Sequence, residues 1–170
     1  MLKYDSLLTK LAASVLLALV TVALYFTGPA FAKVPLAELG KNTVKLEVAQ
    51  TRAQIEHGLM ERASMPEDHG MVFIFHPKRP VRFWMFNCLM SLDMIFIDEG
   101  KIVKISRNVP PCKSHNPGDC PLYPDDGEVR ASEVLEVNAG YCERHNIKEG
   151  DTIKFSLPGI KTTTATDQKK

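Results

Sequence analysis

The chain has 170 residues, and its 21 Lys and Arg side chains nearly balance its 20 Asp and Glu side chains, giving a formal net charge of +1. This balance argues against the strongly basic surface with which nucleic-acid-binding proteins neutralise phosphates, so we expect no nucleic acid as a partner. The length suits a single domain with a substantial core.

The first 32 residues have the three parts of a secretory signal peptide. Lys3 and Lys10 give a basic start, residues 11–26 form an apolar run, and the small-x-small sequence AFA at 30–32 follows a helix-breaking Gly-Pro pair. We therefore predict cleavage after residue 32 and export to the periplasm or the extracellular space. The alternative is an uncleaved segment that anchors the protein in the membrane through residues 11–26, which are fewer than the roughly 20 that a spanning helix needs.

Cleavage would remove two lysines and one aspartate and leave equal numbers of acidic and basic side chains. We divide the mature chain into a lead-in at 33–42, a single globular domain at 43–158 and a disordered polar tail at 159–170.

Alternating apolar and polar residues predict strands through most of the domain. In VKLEVA, for example, Val44, Leu46 and Val48 share one face. The predicted strands are 44–49, 70–75, 81–86, 92–98, 101–109, 134–139 and 151–157. Residues 76–80 (HPKRP) are predicted to form a turn, and DEGK at 98–101 a tight hairpin.

Two short helices are predicted, at 51–60 and 141–146. Thr51 and Gln54 have the spacing of a capping box at the start of the first helix. Residues 110–127 form a loop longer than most loops of compact domains, which indicates that it is functional or cross-linked. Together these elements predict an α+β, β-rich fold: a compact barrel-like or sandwich domain of about seven strands with two short helices.

The four cysteines favour disulfides in an exported protein. Cys112, His115 and Cys120 lie together in the long loop, and they favour a Cys112–Cys120 disulfide over a zinc site because a structural zinc site needs a fourth ligand. The sequence does not decide the state of Cys88 and Cys142. Either they form a disulfide with each other, or Cys88 is a small buried hydrophobic residue.

The apolar stretch RFWMFNCLMSLDMIF, residues 82–96, contains the polar residues Asn87 and Asp93. A buried carboxylate requires a charged partner or hydrogen bonds. The alternating pattern places Arg107 on an apolar face with Val103, Ile105 and Val109. We therefore predict that Asp93 pairs with Arg107 or with Arg62.

Two interpretations of this stretch remain. In the first, Asp93 belongs to a structural ion pair or caps the end of a strand. In the second, the stretch forms the floor of a ligand pocket, with an apolar wall from Trp84 and Met85 and with polar groups from Asn87, Asp93 and an arginine.

Three blocks of the chain resemble the domain-of-unknown-function family 192: HGLMERASMPEDHGMVFIF, FWMFNCLMSLDMIFID and VLEVNAGYCERHNIKEGDTI. The loop VPPCKSHNPGDCPLY resembles a cyanobacterial branch of that family. The chain departs from the N-x-x-I-P-L-D pattern of many members, because it lacks the proline before Leu92 and Asp93. The resemblance implies a fold that agrees with the predicted strands, and it implies no established activity. The family pattern carries over onto Gly58, Leu59, Met60, Arg62, Gly70, Met71, Phe83, Trp84, Met85, Asn87, Leu92 and Asp93.

The sequence contains no G-x-S-x-G elbow, no H-E-x-x-H motif and no glycine-rich phosphate loop. We therefore expect no cofactor and no metal, and we favour a non-catalytic exported module that binds a small ligand or a component of the cell envelope. The alternative is an envelope-acting hydrolase that uses Asp93 as general acid or base. A metal or redox role for the loop of Cys112, His115 and Cys120 is a third possibility.

We expect N-terminal sequencing of the exported protein to give Lys33 as the first residue, because the basic, apolar and small-residue parts of a cleavable signal all precede it. A mature protein that begins at Met1 would contradict cleavage and favour the membrane anchor.

Overall fold

Seven strands and two short α-helices make up the part of the chain that the computed structural model describes, residues 33–160. This agrees with the predicted α+β, β-rich class. The predicted signal peptide and residues 161–170 of the predicted tail lie outside the described residues. The elements are β1 (Leu36–Leu39), β2 (Asn42–Ala49), α1 (Arg52–His57), β3 (His69–Val81), β4 (Leu92–Asp98), β5 (Lys101–Val109), β6 (Val129–Asn138), α2 (Tyr141–Arg144) and β7 (Ile153–Ser156), with a 3-10 turn at Pro117–Asp119.

All seven strands belong to one sheet, in the order β5-β4-β6-β3-β2-β1-β7. Neighbouring strands are antiparallel except β2 and β3, which are parallel and are connected by the crossover that contains α1. The sheet curls into a half-barrel, and its two edges meet at one end. There the N–H of Ile102 donates to the carbonyl of Asp151 (2.9 Å), and the N–H of Ile153 donates to that of Gly100 (3.0 Å).

The central strands β4 and β6 are buried on both faces. Ile95, Ile97 and Leu135 belong to the hydrophobic core inside the curl. Met94 and Phe96 belong to a second core on the outer face. Two-sided burial explains why the sequence of β4 is a continuous apolar run, which is typical of strands that have no solvent-exposed face.

The predicted strand at 81–86 is wrong, and so is the predicted turn at 76–80. β3 runs from His69 to Val81, because its pairing with β6 resumes at Arg79 after a register shift. Phe83 then makes one isolated bridge to Tyr123. The segment 82–91 is apolar although it is not a strand, because it packs over the outer face of the sheet. Met85 and Cys88 of this segment belong to the second core.

The predicted faces of β5 are also partly wrong. Ile102 is 2% exposed, whereas Val103, predicted to point inward, is 39% exposed. The pairing with β4 shifts register between Leu92 and Met94 and again between Phe96 and Ile97. Each irregularity of this kind changes which side chains face the core, so the simple alternation of the sequence does not hold along the strand.

The expected lead-in, residues 33–42, contains β1. This strand pairs with β2 on one side and with β7 on the other, and Ala37 and Leu39 are buried. Four residues are too few to show a reliable alternating pattern.

Helix α1 begins with the predicted capping box. The Thr51 hydroxyl accepts from the N–H of Gln54 (3.3 Å), and the Gln54 side-chain oxygen accepts from the N–H of Thr51 (3.0 Å). Gly58 ends the helix with a φ of +49°. A Cβ atom there would lie 3.2 Å from the ring of Phe73, so a glycine lets the helix end approach the sheet closely.

Cys112 and Cys120 form the predicted disulfide, with their Cα atoms 5.6 Å apart. Cys88 and Cys142 are free and buried. They lie in different cores, Cys88 on the outer face and Cys142 inside the curl, and the sheet therefore separates them. Within residues 33–160, none of the helices has the length and apolar character to cross a membrane.

Candidate functional site

A cavity of about 290 Å³ lies on the outer face of the sheet. One wall is formed by α1 and the turn after it, including Ile55 and Leu59; the other is the segment that follows β3. This volume is near the lower end of the range for small-molecule sites. The cavity therefore has room for a small ligand.

Five aromatic side chains contribute to the cavity wall: Phe73, Phe75, Phe83, Trp84 and Phe86. Phe83 lies edge-on to Phe73, with ring centroids 4.9 Å apart, and edge-on to Phe75 at 6.2 Å. Trp84 is 39% exposed and lies at the mouth. Rings at right angles present both edges and faces, and aromatic faces carry partial negative charge.

Glu136 is the buried acid of this cavity. Glu136 lies on β6, opposite Met71 of β3 and Met94 of β4 in the sheet, and it is 4% exposed. Among residues 33–160, no group donates a hydrogen bond to its carboxylate or forms a salt bridge with it. Desolvation by burial raises the pKa of Glu136 to about 8. The carboxyl is therefore largely neutral at pH 7 and ionised at pH 9.

Cys88 also lines the cavity. Burial, with a further contribution from the charge of Glu136, raises the pKa of the Cys88 thiol to about 12. Since the thiolate is the nucleophile, a thiol with this pKa is unreactive at neutral pH. Cys88 therefore serves as a small apolar lining residue.

Asp93 is fully buried, away from solvent, and is held by main-chain groups. One carboxylate oxygen accepts from the N–H of Asn108 (2.8 Å) and of Gly140 (3.1 Å), and the other accepts from the N–H of Cys142 (2.9 Å). Gly140 is the N-cap of α2, so Asp93 caps this helix from a neighbouring strand and also fixes the bulge in β5. Asp93 is thus a structural residue.

The predicted ion pair between Asp93 and an arginine is wrong. Arg62 forms a bidentate pair with Glu47, and Arg107 is exposed and donates to the carbonyl of Ile147 (2.7 Å). The pattern failed because the bulge opposite Asp93 turns Arg107 outward and places main-chain N–H groups where the guanidinium was expected.

The structure brings only one of the predicted pocket residues, Trp84, to the cavity wall. Met85 is buried in the second core, and Asn87 is exposed in a turn with a φ of 54°, where its carbonyl accepts from the N–H of Glu61. Glu136 was not predicted as a site residue. A signal for it exists, because VLEVNA places Glu136 within an apolar strand, but the alternation of apolar and polar residues predicts that it faces solvent.

Among the described residues, no three His, Cys, Asp or Glu side chains are close enough together to hold a metal ion. The loop of Cys112, His115 and Cys120 contains a disulfide, which leaves neither sulfur as a thiolate ligand.

The curled seven-stranded sheet with an aromatic cavity on its outer face defines a small β-rich half-barrel domain. A model of the family DUF192, described as Uncharacterized ACR, matches residues 35–155, and the chain belongs to this family.

Two solved structures resemble the chain. A proposed transcription regulator from Sinorhizobium meliloti 1021 is 33% identical, with a TM-score of 0.61 over 75% of this chain and 97% of that one. A protein of unknown function from Novosphingobium aromaticivorans DSM 12444 is 28% identical, with a TM-score of 0.61 over 75% of this chain and 89% of that one. No curated protein matches the chain.

We expect Asp93→Asn to lower the free energy of unfolding by about 2 to 3 kcal/mol, because an amide replaces a charged acceptor of three main-chain N–H groups and points a donor at one of them. Urea unfolding measures this loss. The matched control is Asp125→Asn at an exposed position, which should leave stability unchanged; an equal effect at both positions would contradict the capping role.

We expect Glu136→Gln to stabilise the protein at pH 9 but not at pH 4. The pKa of Glu136 is raised from 4.5 to about 8 in the folded state. The wild type therefore has its full free energy of unfolding below about pH 4.5, and this free energy declines as the pH rises through about 8. The difference in free energy of unfolding between the variant and the wild type should grow by roughly 1.4 kcal/mol per pH unit within this range. Urea unfolding at several pH values tests it, with Glu143→Gln at an exposed position as control; a pH-independent difference would contradict the assignment.

Proposed function

We propose that the protein is an exported, non-catalytic binding protein that takes a small, largely apolar ligand into the aromatic cavity. The single observation that supports this most directly is the cavity itself, about 290 Å³ in volume, with five aromatic rings in its wall and the buried Glu136 beside them. An apolar cavity with few polar groups is the usual form of a small-molecule site.

The rival function, hydrolysis with Asp93 as general acid or base, lacks support. Asp93 is fully buried, and main-chain N–H groups occupy both of its oxygens, so a substrate has no access to the carboxylate. Cys88, the thiol in the cavity, has a pKa of about 12 because of its burial, and it is too weakly ionised to act as a nucleophile at neutral pH.

Export is part of the proposal. It is supported by the signal-peptide pattern of residues 1–32 and by the Cys112–Cys120 disulfide, since such bonds persist in oxidising compartments. The resemblance of the cysteine loop to a cyanobacterial branch of the family suggests a periplasmic or extracellular site in such a cell.

The binding of a neutral apolar dye tests the proposal. N-phenylnaphthylamine absorbs where tryptophan emits, and Trp84 is the only tryptophan of the chain, at the mouth of the cavity. We expect saturable quenching of Trp84 fluorescence together with a rise in dye emission.

Two variants show whether the dye occupies the cavity. Trp84→Ala removes part of the wall and should weaken dye binding roughly fivefold or more. Because this variant lacks the tryptophan, its binding is measured by dye emission. Leu122→Ala is the matched control, because Leu122 is 41% exposed, as Trp84 is 39% exposed, and does not line the cavity. Absence of saturable binding, or an equal loss in both variants, would overturn the proposal.

A further inference from the structure

The chemistry of the cavity indicates what kind of ligand it takes. Glu136 is 4% exposed, lines the cavity, and receives no hydrogen bond from any residue between 33 and 160. A buried carboxylate without a partner is costly, and natural proteins normally supply a counter-charge or donors. The described part of the protein supplies neither, so the missing partner is expected from the ligand.

We propose that the ligand is an organic cation, an amine or quaternary ammonium group attached to an apolar body, and that Glu136 is its counter-ion. This inference rests on the proposed binding function and adds the chemical class of the ligand.

The aromatic wall suits a cation. The face of an aromatic ring attracts a cation within about 6 Å of its centroid, and several rings around an ammonium group form a recurrent recognition site. Phe83 stands at about 80° to Phe73 and Phe75, so the wall offers ring faces in more than one direction. One of these rings already binds a cation: the Arg79 guanidinium lies 4.8 Å from the centroid of Phe75.

The other charged groups around the cavity lie on its wall elements. α1 contributes Glu56 and His57, β3 contributes Arg79, and the segment after β3 contributes Arg82. Both arginines have partners, because Arg79 stacks on Phe75 and Arg82 donates to the carbonyls of Leu122 and Pro124.

Close to Glu136 the surroundings are apolar. Its strand neighbours are Met71 and Met94, and the nearby Cys88 thiol is neutral. Burial raises the pKa of Glu136 to about 8. Arg79 and Arg82 contact Phe75 and the carbonyls of Leu122 and Pro124 instead of Glu136, so neither arginine occupies the carboxyl that a ligand cation would meet.

Competition between three small aromatic compounds tests the inference. Benzyltrimethylammonium carries a charge that does not depend on pH, phenylpropanol is a neutral analogue of similar size, and hydrocinnamate is an anionic one. We expect the cation to bind the wild type at pH 9 roughly tenfold or more tightly than phenylpropanol, and hydrocinnamate to bind most weakly, as measured by displacement of N-phenylnaphthylamine.

The pH dependence assigns the preference to Glu136. Because a neutral Glu136 must lose its proton to pair with the cation, the affinity for benzyltrimethylammonium should fall about tenfold per pH unit between pH 8 and 6. Glu136→Gln should abolish both the preference and the pH dependence while still binding phenylpropanol, which also shows that its cavity is intact. Glu143→Gln is the control, because Glu143 is exposed and does not line the cavity, and it should keep the preference and the pH dependence of the wild type.

The outcomes separate this inference from the proposed function. If the three compounds displace the dye equally, if hydrocinnamate binds most tightly, or if Glu136→Gln keeps the preference for the cation, the cation assignment is overturned while binding in the cavity stands. If neither the dye nor any of the compounds binds, the proposed function and the inference both fail.

Discussion

The constraint on which the rest of the structure depends is that the centre of the sheet has no solvent-exposed face. β4 and β6 are covered inside the curl by one core and outside by another. Every polar side chain on these strands must therefore find a partner inside the protein or lose its charge. Asp93, Glu133 and Glu136 are the acids to which this applies, and each of them meets the constraint differently.

Asp93 accepts three main-chain hydrogen bonds, and in this way it ties β5 and α2 to β4. One oxygen of Glu133 accepts a hydrogen bond from Ser132, its Oε1 is buried without a partner, and burial raises the pKa of Glu133. Glu136 has no such partner within residues 33–160, and it opens onto the aromatic cavity. Of the three, only Glu136 is both buried and placed to meet a small molecule.

Much of the fold could be predicted from the sequence. The capping box of Thr51 and Gln54, the strand LDMIFID and the Cys112–Cys120 disulfide depend on neighbouring residues or on the compartment, and all three are confirmed in the structure. The candidate site was predicted much less well. Trp84 lines the cavity as predicted, whereas Met85 is buried in the core and Asp93 and Arg107 lie away from the cavity, because alternation cannot locate the end of β3 or the register shifts in β3 and β5.

The sequence by itself determined the β-rich class, the short helices and the disulfide, since periodicity, capping and cysteine spacing are local properties of the chain. Only the tertiary structure decided which acid is structural and which faces a cavity. Asp93 and Glu136 both lie within apolar strand sequences. The sequence pattern distinguishes them only by their neighbouring residues. They differ because main-chain N–H groups from β5 and the start of α2 converge on Asp93, whereas the side chains of α1, β3 and the segment after it enclose an open space beside Glu136.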